Sequence, residues 1–338
     1  MIVAPVRLAV VGDVMLGRLV NDFLATRPPE WCWGTALPLL RRADAVLANL
    51  ECVLTDHLVP WTRTPKVFHF RANPAAVAVL RAANVRFVSL ANNHVLDYEE
   101  QGLLDTVRHL DRAGILHAGA GRDLAAARAP ALLDLGPVIL GILAITDNEP
   151  AFAAGPDSPG TCYHRIAEDA DVAQELRARA AALRRAGADL VVLSAHWAPN
   201  MVSAPPPAFR AFARGLADDG TVDLFWGHSA HVFQGVERRG SGVILYDTGD
   251  FLDDYRTDPR LRNDWSFIFL IDLEGRRLAR LRLVPVTLKL AQVNLAEGAD
   301  AAGICLRMQA AAAQLGTRLT PTAEGLELPL PGTAPASS

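Results

Sequence analysis

Five apolar runs in this chain each end on a side chain able to hold a metal ion, and that recurrence constrains the fold more than any other feature. The run at 8–11 opens onto Gly12-Asp13, that at 45–48 onto Asn49-Leu50-Glu51, and that at 85–90 onto Asn92-Asn93-His94. The run at 190–194 leads to His196, and that at 222–226 to Gly227-His228-Ser229-Ala230-His231. Short apolar runs with such boundaries read as buried strands. Ligands collect at the carboxyl ends of strands in α/β sheets, so the pattern predicts an α/β domain with a site at its strand ends. A single His or Asp in such a place is ordinarily a hydrogen-bonded or capping residue. Unrelated capping does not put Asp, Glu, Asn and several His after successive buried strands.

The intervening segments alternate accordingly. Asn73-Pro74 supplies an N-cap and a first-turn proline for a helix ending near Ala83, and a second helix is expected over 99–112. Strands are expected at 131–135 and 138–145, then a long Pro/Gly-rich loop over 146–166, of the kind that often binds. Helices follow over 167–186 and 205–218. Past His231 the pattern becomes strands at 232–237, 243–247, 266–272 and 278–290, with a hairpin turn at 273–276, so the second half reads as antiparallel. The expected organisation is a domain over 1–290, a C-terminal helix and extension over 291–330 packing on it, and a Pro/Ala/Ser-rich tail at 331–338 that frays.

A chain of 338 residues with 51% hydrophobic content can bury a large core. Its net charge of −4 leaves no basic footprint, which argues against nucleic acid or an anionic membrane as the main partner. The expected partner is a small-molecule or peptide substrate. Cys32, Cys52, Cys162 and Cys305 are far apart, with neither zinc-knuckle nor disulfide spacing, as suits a reducing cytoplasm. No secretion signal is visible, and no apolar run reaches the roughly 18 to 20 residues needed to span a bilayer, so a cytoplasmic location without a membrane span is expected.

Imidazole and carboxylate together suit zinc, manganese or iron, and a shared carboxylate can bridge two ions. Gly119-Ala120-Gly121 lacks the rest of a dinucleotide fingerprint, and no nucleophilic Ser elbow competes. The ordered set Gly12-Asp13, Asn49-Leu50-Glu51, Asn92-Asn93-His94-Val95-Leu96-Asp97, His196-Trp197 and Gly227-His228-Ser229-Ala230-His231 resembles the capsule-synthesis CapA-like branch of the calcineurin-like metallophosphoesterases, over roughly residues 7 to 255.

That resemblance implies an αββα sandwich with mixed sheets and metals at one edge. By position it implies that Asp13, Glu51 and His231 hold one ion, that Glu51, Asn93, His196 and His228 hold the other, and that Glu51 bridges them. It implies His94 as acid/base or transition-state stabiliser, with Asp97 orienting it. The cofactor would be one or two divalent ions, with manganese, zinc, iron and calcium undistinguished. Met15 stands where the broad pattern has a His, which makes the first ion site one ligand poorer. Tyr246-Asp247-Thr248-Gly249-Asp250-Phe251 stands where the branch typically has Tyr-Ser-Leu-Gly-Asn-Phe. The leading functional expectation is hydrolysis of a phosphoester or peptide-like bond. The alternatives are Cα epimerisation of a peptide residue, as in a ribosomal peptide pathway such as that of a lasso peptide, and a non-catalytic role in polymer assembly.

Overall fold

Along the central strands both faces are apolar, and this sets the layers. In the strand Val6–Val14, Ala9 and Val11 enter one hydrophobic cluster while Leu8 and Val10 enter another. In Leu190–His196, Val192 shares the cluster of Leu8 and Val10, whereas Val191, Leu193 and Ala195 enter a third. Side chains alternate with a period of two, so a strand apolar on both faces must be covered on both. Helices Arg18–Leu24, Val77–Ala82 and Glu99–Ala113 cover the outer face of the first sheet through Val20, Val79, Leu80, Leu103 and Leu110. Helices Asp171–Arg185 and Pro207–Asp218 cover the second through Leu176, Leu183, Ala213 and Leu216. Between the sheets lie Phe87, Ile142, Trp226 and Phe269.

This computed structural model describes residues 6–330 apart from Ala167 and Ala170; the expected tail at 331–338 lies outside the described residues. The first sheet runs Thr320–Thr322, Gly325–Pro329, Arg277–Lys289, Trp265–Glu274, Val6–Val14, Ala45–Leu50, Val85–Ser89, Leu116–Ala118. Asp250–Leu252 joins it beside Val6–Val14. The second runs Val236–Arg239, Gly242–Leu245, Leu224–His228, Leu190–His196, Ile139–Thr146, Ala131–Asp134. Each mixes parallel and antiparallel strands, so the architecture is an αββα sandwich with mixed sheets.

The expectation of an antiparallel second half holds for the hairpin Trp265–Glu274 with Arg277–Lys289. It holds also for Val236–Arg239 with Gly242–Leu245, and fails on the other side of Gly242–Leu245, parallel to Leu224–His228, and for Asp250–Leu252, parallel to Val6–Val14. Periodicity marks a strand without giving the direction of its neighbour. Residues 232–235, expected to open a strand, precede Val236–Arg239 as irregular chain. Within the loop expected over 146–166, Gly160–Thr161 pairs with Ala120–Gly121, so that glycine pair edges a small sheet. Gln292–Leu295 and Gly325–Pro329 both pair with Arg277–Lys289, and helix Gly298–Gln314 sends Ile304 and Met308 into the inter-sheet cluster.

Two close approaches bring the sheets' carboxyl ends together. A Cβ on Gly12 would stand 1.7 Å from the Gly249 carbonyl oxygen, and one on Gly227 2.0 Å from that of Tyr246. Only glycine lets segment 246–250 lie flush against the strand ends of both sheets. That segment carries Asp250 into register beside Asp13, which on its other side pairs with Asn49. In the second sheet His196 pairs with His228.

Candidate metal centre and the pair beside it

Asp13, His196 and His228 place side-chain donor atoms within 4.8 Å of one another, and Asp13, Glu51, His231 and Asp250 do the same. The His196 and His228 Nδ1 atoms are 2.9 Å apart, and His228 Nδ1 lies 3.8 Å from Asp13 Oδ1. His231 Nδ1 lies 2.8 Å from Asp250 Oδ1 and 3.8 Å from Asp13 Oδ2. Donors that share one ion at about 2.1 Å stand about 3 to 3.4 Å apart; the two imidazole–partner contacts at 2.8 and 2.9 Å lie just inside that spacing and the two to Asp13 at 3.8 Å somewhat outside it. Around them, Asn49 Nδ2 donates to Asp13 Oδ1 at 2.8 Å, and Ser194 Oγ lies 2.7 Å from His228 Nε2, turning Nδ1 toward the centre. The backbone carries strain here: His231, a non-glycine residue, has φ of 60°.

The donor set fits a divalent cation. Asp13 Oδ2, both Glu51 oxygens, Asn93 Oδ1 and Asp250 Oδ2 are buried with no hydrogen-bond partner, an arrangement that is costly unless a cation answers it. Burial pushes His228 down to about 3, and burial beside His228 holds His196 well below the usual imidazole range, so both present neutral nitrogens. Burial and the Glu51 charge raise Asp13 well above the usual carboxylate range; burial likewise raises Glu51 and Asp250. Against its own burial, the Asp250 carboxylate raises His231. An entering cation must therefore expel protons from carboxyls and from His231. Metal affinity is expected to weaken as pH falls, about tenfold per unit for each proton displaced. Titration calorimetry with manganese at several pH values and in buffers of different ionisation heat checks this; an affinity flat between pH 6 and 8, conditions chosen to bracket neutrality, would contradict it.

Beside the cluster, Asp97 gathers three partners. Its Oδ2 lies 2.6 Å from His94 Nδ1 and accepts the Phe70 N–H at 2.6 Å, while Lys66 Nζ is 3.3 Å from its Oδ1. His94 Nε2 then faces Glu51 Oε1 at 3.9 Å, with the Phe70 ring stacked on the imidazole at 4.1 Å. Lys66 also donates to the Asn93 carbonyl at 2.6 Å and pairs with Glu149 at 3.6 Å. A cleft of 560 Å³ opens over this centre, and Asn93, His94, His231, Lys66 and Tyr255 line it.

Residues 7–255 match the family described as bacterial capsule synthesis protein PGA_cap. This chain belongs to that family. It is 34% identical over 302 residues to the "Probable polyglutamine synthesis accessory protein" of Mycobacterium tuberculosis strain H37Rv, covering 86% of this chain and 78% of the relative. It is 29% identical over 252 residues to the "Capsule biosynthesis protein CapA" of Bacillus anthracis, covering 73% of this chain and 59% of that one. A solved phosphatase from Mycoplasma pneumoniae shares the fold, with a TM-score of 0.51 at 13% identity over 85% of this chain and 95% of that one. The capsule-synthesis family thus carries here the fold of that phosphatase.

All the residues that the family motifs single out meet at this centre, with one difference in how they group. Asp13, on the strand flanked by both Ala45–Leu50 and Asp250–Leu252, is the carboxylate common to the two groups, whereas Glu51 was expected to bridge. Glu51 Oε1 still lies 3.8 Å from His196 Nε2. Asn93 contributes the buried, unpartnered Oδ1. Met15 is fully buried, its sulfur accepting the Gly17 N–H at 3.0 Å. Asp250, which the family motifs marked only as an acid where an amide is typical, adds a carboxylate to the group of Asp13, Glu51 and His231. No local signal marked Lys66 as a cleft group. No helix among the described residues is long and apolar enough to cross a membrane.

Proposed function

We propose that this chain is a divalent-metal-dependent hydrolase of a phosphoester or peptide-like bond, with His94 as its proton-transfer group. The observation that carries the reading is the His94–Asp97 contact of 2.6 Å, which fixes the ring so that Nε2 points at the buried donor cluster under the cleft. Asp13, Glu51, Asn93, His196, His228, His231 and Asp250 would hold one or two divalent ions, which would supply Lewis-acid polarisation of a carbonyl or phosphoryl oxygen. Asp97 keeps the His94 proton on Nδ1 and stabilises the imidazolium when Nε2 takes a proton from the water whose oxygen bonds to the reacting phosphorus or carbonyl carbon; Nε2 then gives that proton to the leaving group as the scissile bond breaks. Phe70, on the imidazole face, shields that exchange from water. The relatives named for polyglutamine synthesis and capsule biosynthesis make a glutamyl amide the peptide-like bond to try first.

A second reading, proton exchange at a peptide Cα, is favoured by one observation: His94 and Tyr255, both able to carry a proton, line the same cleft. Inversion at a carbon needs two such groups. Mass spectrometry of the manganese-loaded protein in deuterated water, against phosphoesters, γ-glutamyl peptides and peptides encoded beside its gene, separates the two. Released phosphate or a cleaved amide supports the hydrolase. An intact peptide gaining one deuterium supports the second reading, and no change in any substrate leaves the accessory role in polymer assembly.

A further inference from the structure

Beside the metal donors the cleft carries groups that the hydrolase reading uses neither for proton transfer nor for metal binding. The Tyr255 hydroxyl is buried and has no hydrogen-bond partner among the described residues. Its position is nevertheless well determined: the ring packs 5.6 Å from Phe70 and perpendicular to His231 at 5.4 Å, and the backbone N–H donates to Asp253 Oδ1 at 2.8 Å. A buried donor left without an acceptor is costly and marks a place where something else accepts.

Arg18 lines the same cleft. Its φ of 52° is a left-handed value that a non-glycine residue rarely adopts, and such strain gathers at ligand clamps. The guanidinium sits 5.8 Å from the centroid of the Phe70 ring, and only its Nε is engaged, 3.3 Å from Asp254 Oδ2. Arg256, exposed at the rim, adds a second guanidinium. The acid that lines this cleft, Glu149, is already paired with Lys66. Net positive charge and a directed O–H therefore face the space next to the metal donors.

We propose that Arg18, Tyr255 and Arg256 form an oxyanion subsite that takes a carboxylate or phosphate group of the substrate. The proposal deepens the hydrolase reading and rests on it for the location of the reacting bond. Guanidinium forks match the paired oxygens of both anions, and the phenol adds one directed donor.

Calorimetric titration of the manganese-loaded protein with inorganic phosphate and, separately, with glutarate tests it, alongside Tyr255→Phe, Arg18→Gln and Arg256→Gln. Each variant is expected to keep its manganese and its unfolding midpoint while losing about tenfold or more in affinity for one of the two anions. The anion with the larger loss names the substrate group. Arg256→Gln alters an exposed side chain and reports independently should Tyr255→Phe disturb the metal. Affinities within about twofold of wild type for both anions in all three variants would overturn the subsite, as would a wild type that binds neither. Anion binding that depends on Arg18 and Tyr255, with no product from any phosphoester or amide, would overturn the hydrolase reading alone.

Discussion

Asp13→Ala is expected to leave the protein without a stoichiometric divalent ion and to abolish turnover. Asp13 is the carboxylate common to both donor groups, and its Oδ2 is buried with no hydrogen-bond partner among the described residues. Removing it leaves His196 and His228 without their acid and takes one acid from Glu51, His231 and Asp250 together. The sheet itself should persist, because the backbone N–H of residue 13 donates to the Gly249 carbonyl whatever the side chain. Metal present at a hundred times its dissociation constant raises stability by about 2.7 kcal/mol, so the wild-type protein should melt several degrees higher with manganese than with chelator. In Asp13→Ala that increment should vanish. Elemental analysis and paired melting curves measure both quantities, and a variant holding wild-type manganese would remove Asp13 from the centre.

His94→Ala is expected to do the opposite, retaining metal while turnover falls about 10²- to 10⁴-fold. The donor groups do not include His94, and Asp97 keeps the Phe70 N–H and Lys66 as partners when the imidazole is gone. The fold around the cleft therefore stays anchored, and the loss should fall on proton transfer. Asp97→Asn tests the same contact from the other side: an amide can no longer hold the His94 proton on Nδ1 in the same way, and Lys66 loses its counter-charge. A His94→Ala enzyme within about threefold of the wild-type rate would assign the proton transfer to another group.

Much of this was legible before any tertiary contact. Apolar runs at 8–11, 45–48, 85–90, 190–194 and 222–226 are strands that end at the centre, and a buried strand announces itself through local hydrophobicity. The order of Asp13, Glu51, Asn93, His94, Asp97, His196, His228 and His231 carried the family, because each acts from a fixed place relative to its own strand end. What local sequence could not carry is which groups from different strands share an atom's worth of space. Asp250 joins Asp13 because Gly12 and Gly249 allow two backbones to touch, and Asp13 rather than Glu51 faces both groups because its strand lies between two parallel neighbours. The same holds for the direction of Gly242–Leu245 and for Tyr255, whose ring is set in the cleft by Phe70 and His231 from other segments of the chain. Sequence by itself determined the elements and the chemistry at each strand end, since those depend on neighbours along the chain. Tertiary structure alone decided the sharing of ligands and the shape of the cleft, since those depend on sheet register and close backbone approach, which no one segment encodes.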